Sequence, residues 1–152
     1  MSYKQLTWGV KASFRSYVEA AGGSITLSDG ATRAADGAFV FAALPGGDLV
    51  VTAEAQPSGS MKFAGTVAFD AHGGMLRSKL TELEVAAEND GLVLSALDTQ
   101  FGGGRRVIAE LGAAEIGPEG EVILSAAITL DGMDQIADNY PPGTALDPLR
   151  LD

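Results

Sequence analysis

The sequence predicts a mainly β protein: an antiparallel β-sandwich or barrel-like fold with one N-terminal helix and room for a short C-terminal helix. Short apolar runs of alternating polarity follow one another, and turn sequences separate them about every 8–12 residues, as in antiparallel sandwiches and barrels. Strands do not alternate with long helices, which disfavours a parallel α/β sheet. The length of 152 residues suits one continuous core, so we expect residues 1–152 to form a single domain.

The one strongly helical pattern near the N-terminus covers residues 6–21. Its apolar residues recur every four positions: Leu6, Val10, Phe14 and Val18. Tyr17 falls on the same side at about 100° per residue, which predicts that its ring lies within the apolar arc. Thr7 is a plausible N-cap, and Gly22 with Gly23 should end the helix.

Strands are predicted for the apolar runs that turn sequences separate: residues 24–28, 38–44, 48–56, 61–70, 80–88, 92–97, 105–116 and 121–130. The run 61–70 alternates most clearly, with its large apolar side chains on one face and Gly65 between them. The triplet Asn89-Asp90-Gly91 is a strong hairpin signal. Residues 131–151 are compatible with one helical turn followed by an extended, proline-marked segment.

Composition limits the classes of partner. The chain carries 10 basic and 20 acidic residues, a formal net charge of -10, so its surface repels phosphate backbones and anionic lipids. We therefore expect neither nucleic-acid binding nor membrane insertion, and no apolar run approaches the roughly 18 residues of a membrane-spanning helix. The acidity is otherwise consistent with solubility. The absence of cysteine excludes disulfides, thiolate metal sites and cysteine nucleophiles.

Most catalytic and metal-binding patterns are missing from the sequence. His72 is the only histidine, so one chain cannot supply a site with two or three histidine ligands. A Ser–His–Asp triad is formally possible, but no G-x-S-x-G elbow is present. The glycine-rich stretch 102–106 lacks the lysine and the hydroxyl residue of a phosphate-binding loop. The glutamate pairs at 82/84 and 119/121 are more typical of solvated strand faces than of a glycosidase.

Two residues stand out, and the pattern alone leaves their roles open. Tyr17 is either a core tyrosine with a satisfied hydroxyl or a ligand presented by the helix, and Ser13 lies one helical turn before it. His72 sits between a predicted strand and the turn Gly73-Gly74, where a histidine is most often an ordinary turn residue.

Three stretches of the sequence resemble the HtaA domain, a haem-binding module of bacterial haem-uptake proteins. The first is LTWGVKASFRSYVEAAGGSITLSDGA, residues 6–31, which contains Ser13 and Tyr17 in an S-F-R-x-Y pattern. The second, GTVAFDAHGGML at residues 65–76, is similar to the family's G-x-V-x-F-x-x-H-x-G-x-L stretch. The third, YPPGTALDP at residues 140–148, resembles the closing segment of the domain. The three occur in the family's order and span essentially the whole chain.

The resemblance implies a β-rich sandwich with short helices and three site residues. By motif position, Tyr17 would be the axial ligand of ferric haem b, His72 would hydrogen-bond that tyrosine, and Ser13 would contact a haem propionate. The implied partners are haem and haem donor or acceptor proteins, and we expect a monomer or weak dimer. The family is usually exported or at the cell surface, whereas MSYKQLTWGV has no signal-peptide core, so the localisation stays open.

The implied chemistry is coherent. A free tyrosine has a pKa of about 10 and is a phenol at neutral pH, but ferric iron is a hard cation that favours the phenolate. A neighbouring imidazole can accept the displaced proton and fix the direction of the ring. Tyrosinate is an established haem ligand. Five cations are candidates for assisting the propionates: Lys11, Arg15, Arg77, Arg105 and Arg106.

The predicted function is therefore the capture or transfer of ferric haem without catalysis. Two alternatives remain. Tyrosinate-ligated haem can support weak peroxidase chemistry, but that needs an acid–base group, and the one histidine would already contact the tyrosine. The fold could also serve as a structural or adhesive β-sandwich that binds no haem. A Soret band and a peroxide assay distinguish these alternatives.

Overall fold

Twelve strands and two α-helices make up the part of the chain that a computed structural model describes, residues 3–89, 91–99, 102, 104–137 and 139–152. In chain order, the strands are β1 (Gln5–Trp8), β2 (Ser24–Ser28), β3 (Thr32–Arg33), β4 (Phe39–Ala43), β5 (Ser60–Ala64), β6 (Thr66–Ala71), β7 (Leu76–Thr81), β8 (Glu84–Glu88), β9 (Gly91–Leu97), β10 (Arg105–Ile116), β11 (Val122–Ile128) and β12 (Ala145–Leu151). The helices are α1 (Ala12–Ala20) and α2 (Leu130–Gln135), and a 3-10 turn covers His72–Gly74.

Eight of the strands close into an antiparallel barrel. Their order is β1–β12–β11–β10–β9–β8–β5–β4, and β4 pairs back with β1 to complete the ring. The short strand β3 also pairs with β4, and a separate three-stranded sheet has the order β2–β6–β7. Closure of the ring removes edges that an open sheet would expose. The predicted fold class, mainly β with an N-terminal helix and a second short helix, is confirmed.

The predicted helix over residues 6–21 is wrong over residues 6–11, because α1 begins at Ala12. Gln5–Trp8 form β1, because Leu6 and Trp8 alternate into the core while β12 and β4 pair with the strand on its two sides. Val10 then takes a left-handed backbone conformation, with φ of 64°, which interrupts a continuous helix. Tertiary pairing has overridden an apolar spacing of four that continues into the true helix.

The helix ends as predicted but is not capped as predicted. Thr7 lies within β1, and α1 begins at Ala12 after Lys11, whose side chain makes no capping hydrogen bond. At the other end, Gly22 takes φ of 73° immediately after the helix, a conformation that glycine adopts without strain.

The predicted strand over residues 48–56 is wrong, since only an isolated bridge from Val50 to Ser58 forms there. Leu49 and Val51 are buried, but the polar residues that follow are exposed and pair with no strand.

The predicted strand over residues 61–70 is two strands in two sheets. Gly65 separates β5 in the barrel from β6 in the small sheet, with φ of 131°. A Cβ at this position would lie 2.8 Å from Phe41 Cδ1 and 2.9 Å from Ala31 Cβ, so both the conformation and the space require glycine. The alternation survives the bend, because the large apolar side chains of both strands remain buried.

Two other predicted strands have shifted bounds. The run 80–88 breaks at Glu82, whose φ of 52° ends β7 before β8 starts. The next hairpin is confirmed by the pairing of Glu88 with Gly91, although Asp90 of its turn lies outside the described residues, as does Gly103 of the later glycine-rich stretch. The run 121–130 ends at Ile128, since α2 follows.

Aromatic contacts fix α1 against the small sheet. Phe14 and Val18 are the buried residues of the helix, and the Phe14 ring meets the Phe69 ring of β6 edge-on at a centroid distance of 4.9 Å. Phe39 of the barrel packs edge-on against Phe69 from 5.9 Å. Such pairs add about 0.5–1.5 kcal/mol to the burial of the rings. No helix among the described residues combines the length and apolarity needed to cross a membrane.

Candidate functional site

The first turn of α1 is anchored by a side chain of the last strand. The Asp147 carboxylate accepts a hydrogen bond from Ala12 N at 3.0 Å and pairs with Arg15 Nη1 at 2.8 Å. The backbone N of Asp147 donates to Val10 O at 2.8 Å, and Trp8 Nε1 donates to Asp147 O at 2.8 Å. An anion at this end satisfies free N–H groups and complements the helix dipole. We call these five residues the helix anchor.

The other end of α1 lies against the end of β6. A Cβ on Gly23 would be 2.3 Å from Asp70 O and 2.9 Å from Ala71 Cβ, so this close approach requires glycine. Ser24 of β2 pairs with Asp70 of β6, which fixes the register at the point where the helix joins the sheet. The last turn of α1 is therefore placed beside the residue that follows β6, His72.

His72 occupies a turn of unusual backbone conformation. Its φ is 54°, and Gly73 and Gly74 follow with φ of 66° and 94°. Met75 N then donates to His72 O at 3.2 Å and closes the turn. A left-handed conformation costs a side-chain-bearing residue about 1–2 kcal/mol, although histidine is among the residues that tolerate it better. Strain of this kind is frequent where a side chain is held for function.

The structure brings the side chains of Tyr17 and His72 into direct contact. Tyr17 Oη lies 2.5 Å from His72 Nε2, and the ring centroids are 5.6 Å apart at 55°. A neutral imidazole nitrogen can accept the phenolic proton, and a protonated one can donate to a phenolate. The geometry is therefore that of a hydrogen bond in either protonation state of the pair.

The interpretation of Tyr17 as a core tyrosine is wrong. Its side chain is 49% exposed, because the buried face of α1 is centred on Phe14 and Val18 and does not extend as far round as the sequence spacing suggested. Ser13 is also exposed and precedes Tyr17 by one helical turn. The three predicted site residues therefore include one contacting pair, Tyr17 and His72, and one exposed hydroxyl on the same helix.

The candidate cations differ in how they are held. Three are paired with carboxylates through side chains that are at most 30% exposed: Arg15 with Asp147, Arg105 with Glu84, and Arg106 with Asp131 and Asp134. Lys11 Nζ instead donates to Ala145 O at 2.7 Å and lies 5.5 Å from the Tyr140 ring centroid. Arg77 is 75% exposed and contacts Asp70 at 3.4 Å, a type of surface pair worth about 0–1 kcal/mol. Lys11 and Arg77 are thus better placed to meet an anionic ligand.

Sequence reasoning missed the residues that position the site. Asp147 is 135 residues from Ala12 in sequence, so no local pattern reveals it as the cap of α1. Gly9 has a similar hidden role: a Cβ there would lie 2.2 Å from Arg15 Nη1 and 2.5 Å from the Asp147 carboxylate. Gly23 was visible as a helix stop but not as the contact with β6.

The described residues contain no group of three or more histidine, cysteine, aspartate or glutamate side chains arranged to hold a metal ion.

Comparisons with known proteins agree with the fold. The sequence matches the family HtaA, described as Htaa, over residues 3–152. The C-terminal domain of HtaA from Corynebacterium glutamicum is similar in structure, with 29% identity, a TM-score of 0.74, and coverage of 98% of this chain and 95% of that chain. The N-terminal domain of the same protein has 26% identity, a TM-score of 0.74, and coverage of 99% and 96%.

A more distant structure shares the fold. The haem-binding protein HtaB from Corynebacterium glutamicum has 17% identity, a TM-score of 0.68, and coverage of 98% of this chain and 91% of that chain. No curated protein sequence matches the chain.

Proposed function

This chain belongs to the HtaA family, and on that premise we propose that it binds ferric haem b through the Tyr17 phenolate, for haem capture or transfer rather than catalysis. The observation that carries the proposal is the 2.5 Å contact between Tyr17 Oη and His72 Nε2 on an exposed face of α1. A tyrosine buried for packing would not be half-exposed, and the imidazole of His72 is held against its hydroxyl. The structural relative HtaB, described as haem-binding, supports the same reading.

The residues present fit this group. Haem supplies four equatorial nitrogen ligands of its own, so one protein oxygen suffices, and the described part of the chain offers no larger metal-binding cluster. Tyr17 presents that oxygen. His72 takes or shares the proton that the phenol releases and holds the direction of the ring. Ser13, one turn before Tyr17, is placed to donate to a carboxylate of the ligand.

The exposure of the site favours transfer over enclosure. Tyr17 lies on a helix surface and is 49% exposed, so a ligand bound there keeps part of its surface accessible. A peroxidase reaction needs an acid–base group on the opposite face of the ligand, and the one histidine of the chain contacts Tyr17 instead. We therefore place residues 1–152 as a single non-catalytic domain, a monomer or weak dimer, that exchanges haem with donor or acceptor proteins.

A haem titration with matched tyrosine variants tests the proposal. We expect a saturable Soret band at about one haem per chain, with affinity about 100-fold lower or worse in Tyr17→Phe, because the iron loses its anionic ligand. Tyr3→Phe is the matched control, since the Tyr3 hydroxyl bonds to Val51 O at 3.4 Å, outside the site.

Binding by Tyr17→Phe with unchanged affinity and spectrum would contradict the proposal. Parallel loss in both variants would show that the effect is not specific to the Tyr17 hydroxyl and would also contradict the proposal. A peroxide assay on the haem-loaded protein checks the non-catalytic assignment, and turnover above that of free haem would overturn it.

A further inference from the structure

A cleft next to the His72 turn has no role in the contacts described above. It has a volume of 280 Å³ and opens to solvent between the start of β7 and the end of α2. Met75 and Leu76 form one wall, Met133 forms the other, and Arg77 stands at the rim. The floor is apolar, because Ile136 and Ala137 are almost fully buried.

The two walls of this Met75–Met133 cleft are held at a fixed separation. The Ser78 hydroxyl of β7 donates to Gln135 O at 2.6 Å and is shared with Ile136 O, both at the end of α2. Ser78 is 4% exposed and Gln135 is fully buried, so these bonds are shielded from water. The cleft is thus a preformed feature and not a gap between mobile elements.

The cleft lies next to the turn that carries His72. Met75 belongs to the same turn as His72, and its backbone N bonds to His72 O. On the opposite side, the lining includes Asn139, the neighbour of Tyr140, whose ring meets the Phe14 ring of α1 at 6.3 Å. The cleft therefore adjoins, on one side, the turn that carries His72 and, on the other, the segment that packs on α1.

Met75 is the clearest sign that something covers this region. Its side chain is 91% exposed, the largest exposure among the large apolar side chains of the described residues. A thioether side chain adapts to irregular and flat partners, aromatic faces in particular. Burial of such a side chain is favourable, so a ligand that covers Met75 gains affinity.

The charges around the cleft suit an apolar ligand that carries carboxylates. Asp134 is the acidic residue of the lining, and its carboxylate is bound to Arg106 at 3.1 Å. Arg77 is loosely paired with Asp70 at 3.4 Å and remains 75% exposed. The volume is below the roughly 300–1,000 Å³ of pockets that enclose a small ligand, so the cleft holds part of a ligand and not all of it.

We infer that the Met75–Met133 cleft receives one edge of the porphyrin whose iron is bound by Tyr17, with the two methionine side chains packed against the macrocycle. The inference rests on the proposed haem function. It assigns to β7 and α2 a share of the binding surface that Ser13, Tyr17 and His72 do not supply, and it makes Met75 the residue that slows haem release.

Methionine methyl NMR tests the inference directly. The chain has four methionines, and gallium(III) protoporphyrin IX is a diamagnetic probe whose ring current shifts nearby methyl groups. We expect the Met75 and Met133 methyl signals to shift on saturation, whereas Met61, which is 3% exposed in the core, stays in place and serves as the internal reference. Shifts confined to other methyl groups would overturn the inference.

Haem release from two matched variants gives the second readout. Met75→Ser removes the exposed apolar contact, and Ile116→Ser removes another exposed apolar side chain at the end of β10. We expect haem dissociation to a scavenger globin to be about tenfold faster in Met75→Ser and unchanged in Ile116→Ser.

Different results would reject the cleft and the proposed haem function. Equal release from both variants, with Tyr17-dependent binding intact, would reject the cleft and leave the haem function standing. Absence of Tyr17-dependent binding in the parent protein would reject the proposed function itself.

Discussion

The two ends of α1 are held in opposite ways. At its start, the helix anchor joins Trp8, Arg15 and Asp147 through several hydrogen bonds, and the Arg15 side chain is only 12% exposed. Near its end, Tyr17 is 49% exposed and has one side-chain partner in the structure, His72. The start of the helix is therefore packed and hydrogen-bonded like a core segment, whereas the Tyr17 side chain near its end is open to solvent.

The difference indicates that the two ends of this nine-residue helix have different roles: the start contributes to stability, and the end is available to a ligand. Contacts that are buried and numerous contribute stability, because breaking one leaves other polar groups unsatisfied. An exposed pair contributes little to folding and is available to a ligand. Variants at the two ends should therefore separate into losses of stability and losses of haem affinity.

The largest effect is expected from Asp147→Ala. It removes the acceptor for Ala12 N and leaves Arg15 without its carboxylate, so we expect the free energy of unfolding to fall by about 3 kcal/mol. Chemical denaturation measures this. Asp147→Asn is the control, because it keeps an oxygen for Ala12 N and should lose less. A change below about 0.5 kcal/mol in Asp147→Ala would contradict the anchoring role.

The next effect is expected from His72→Gly, which should lower haem affinity without lowering the free energy of unfolding. Glycine relieves the left-handed strain at φ of 54°, so stability should be unchanged or higher by up to about 1 kcal/mol. Haem affinity should fall about 10–100-fold, because Tyr17 loses its proton acceptor. Spectral titration and denaturation of the same preparation measure both. Unchanged affinity would remove His72 from the site.

A smaller effect is expected from Gly23→Ala, which tests the link between the two regions. The added Cβ would meet Asp70 O at 2.3 Å, so the end of α1 must move away from β6. We expect a loss of about 1.5 kcal/mol in stability and weaker haem binding. In Gly22→Ala, the added Cβ meets nothing within 4 Å, so only backbone strain should appear and haem affinity should be kept. Equal haem affinity in both variants would contradict the idea that packing of α1 against β6 at Gly23 positions the site.

The smallest effect concerns the contribution of Tyr3 to stability at alkaline pH. Burial raises the pKa of Tyr3 above its usual value of about 10, because the folded chain disfavours the phenolate. The unfolded chain then ionises first, so this contribution to stability is present below about pH 10 and is lost as the pH rises above it. Denaturation at several alkaline pH values should show a shallower decline in Tyr3→Phe. An identical decline would exclude Tyr3 as its source.

Local patterns carried much of the fold. The alternating runs and turn signals predicted the β class, and β10 has the bounds that its sequence predicts. The helix start was wrong because Leu6 and Val10 continue the apolar spacing of α1, while distant strands decide that residues 5–8 pair instead. The bend at Gly65 was invisible for a related reason: alternation continues through it, and only packing against Phe41 shows that the chain changes sheet.

The residues of the candidate site were predictable from the sequence, but the contacts between them were not. Tyr17, Ser13 and His72 came from motif resemblance, and the contact between two of them needs the β2–β6 register that no motif encodes. The cleft with Met75 was not foreseen, because its walls come from two segments that are far apart in the sequence and are joined by the Ser78 hydroxyl. Sequence spacing describes neighbours along one element and is silent about elements brought together by folding.

The capping of α1 by β12 also affects the order in which parts of the molecule can fold during synthesis. Asp147 follows Ala12 by 135 residues, which a ribosome adds in roughly 7 to 27 s at about 5–20 residues per second. During that interval the helix lacks its cap, and β1 lacks one of the two strands that hold it in the ring. Pairings between distant segments are slow to form. The start of the helix that bears Tyr17 therefore reaches its final position only after β12 has been made.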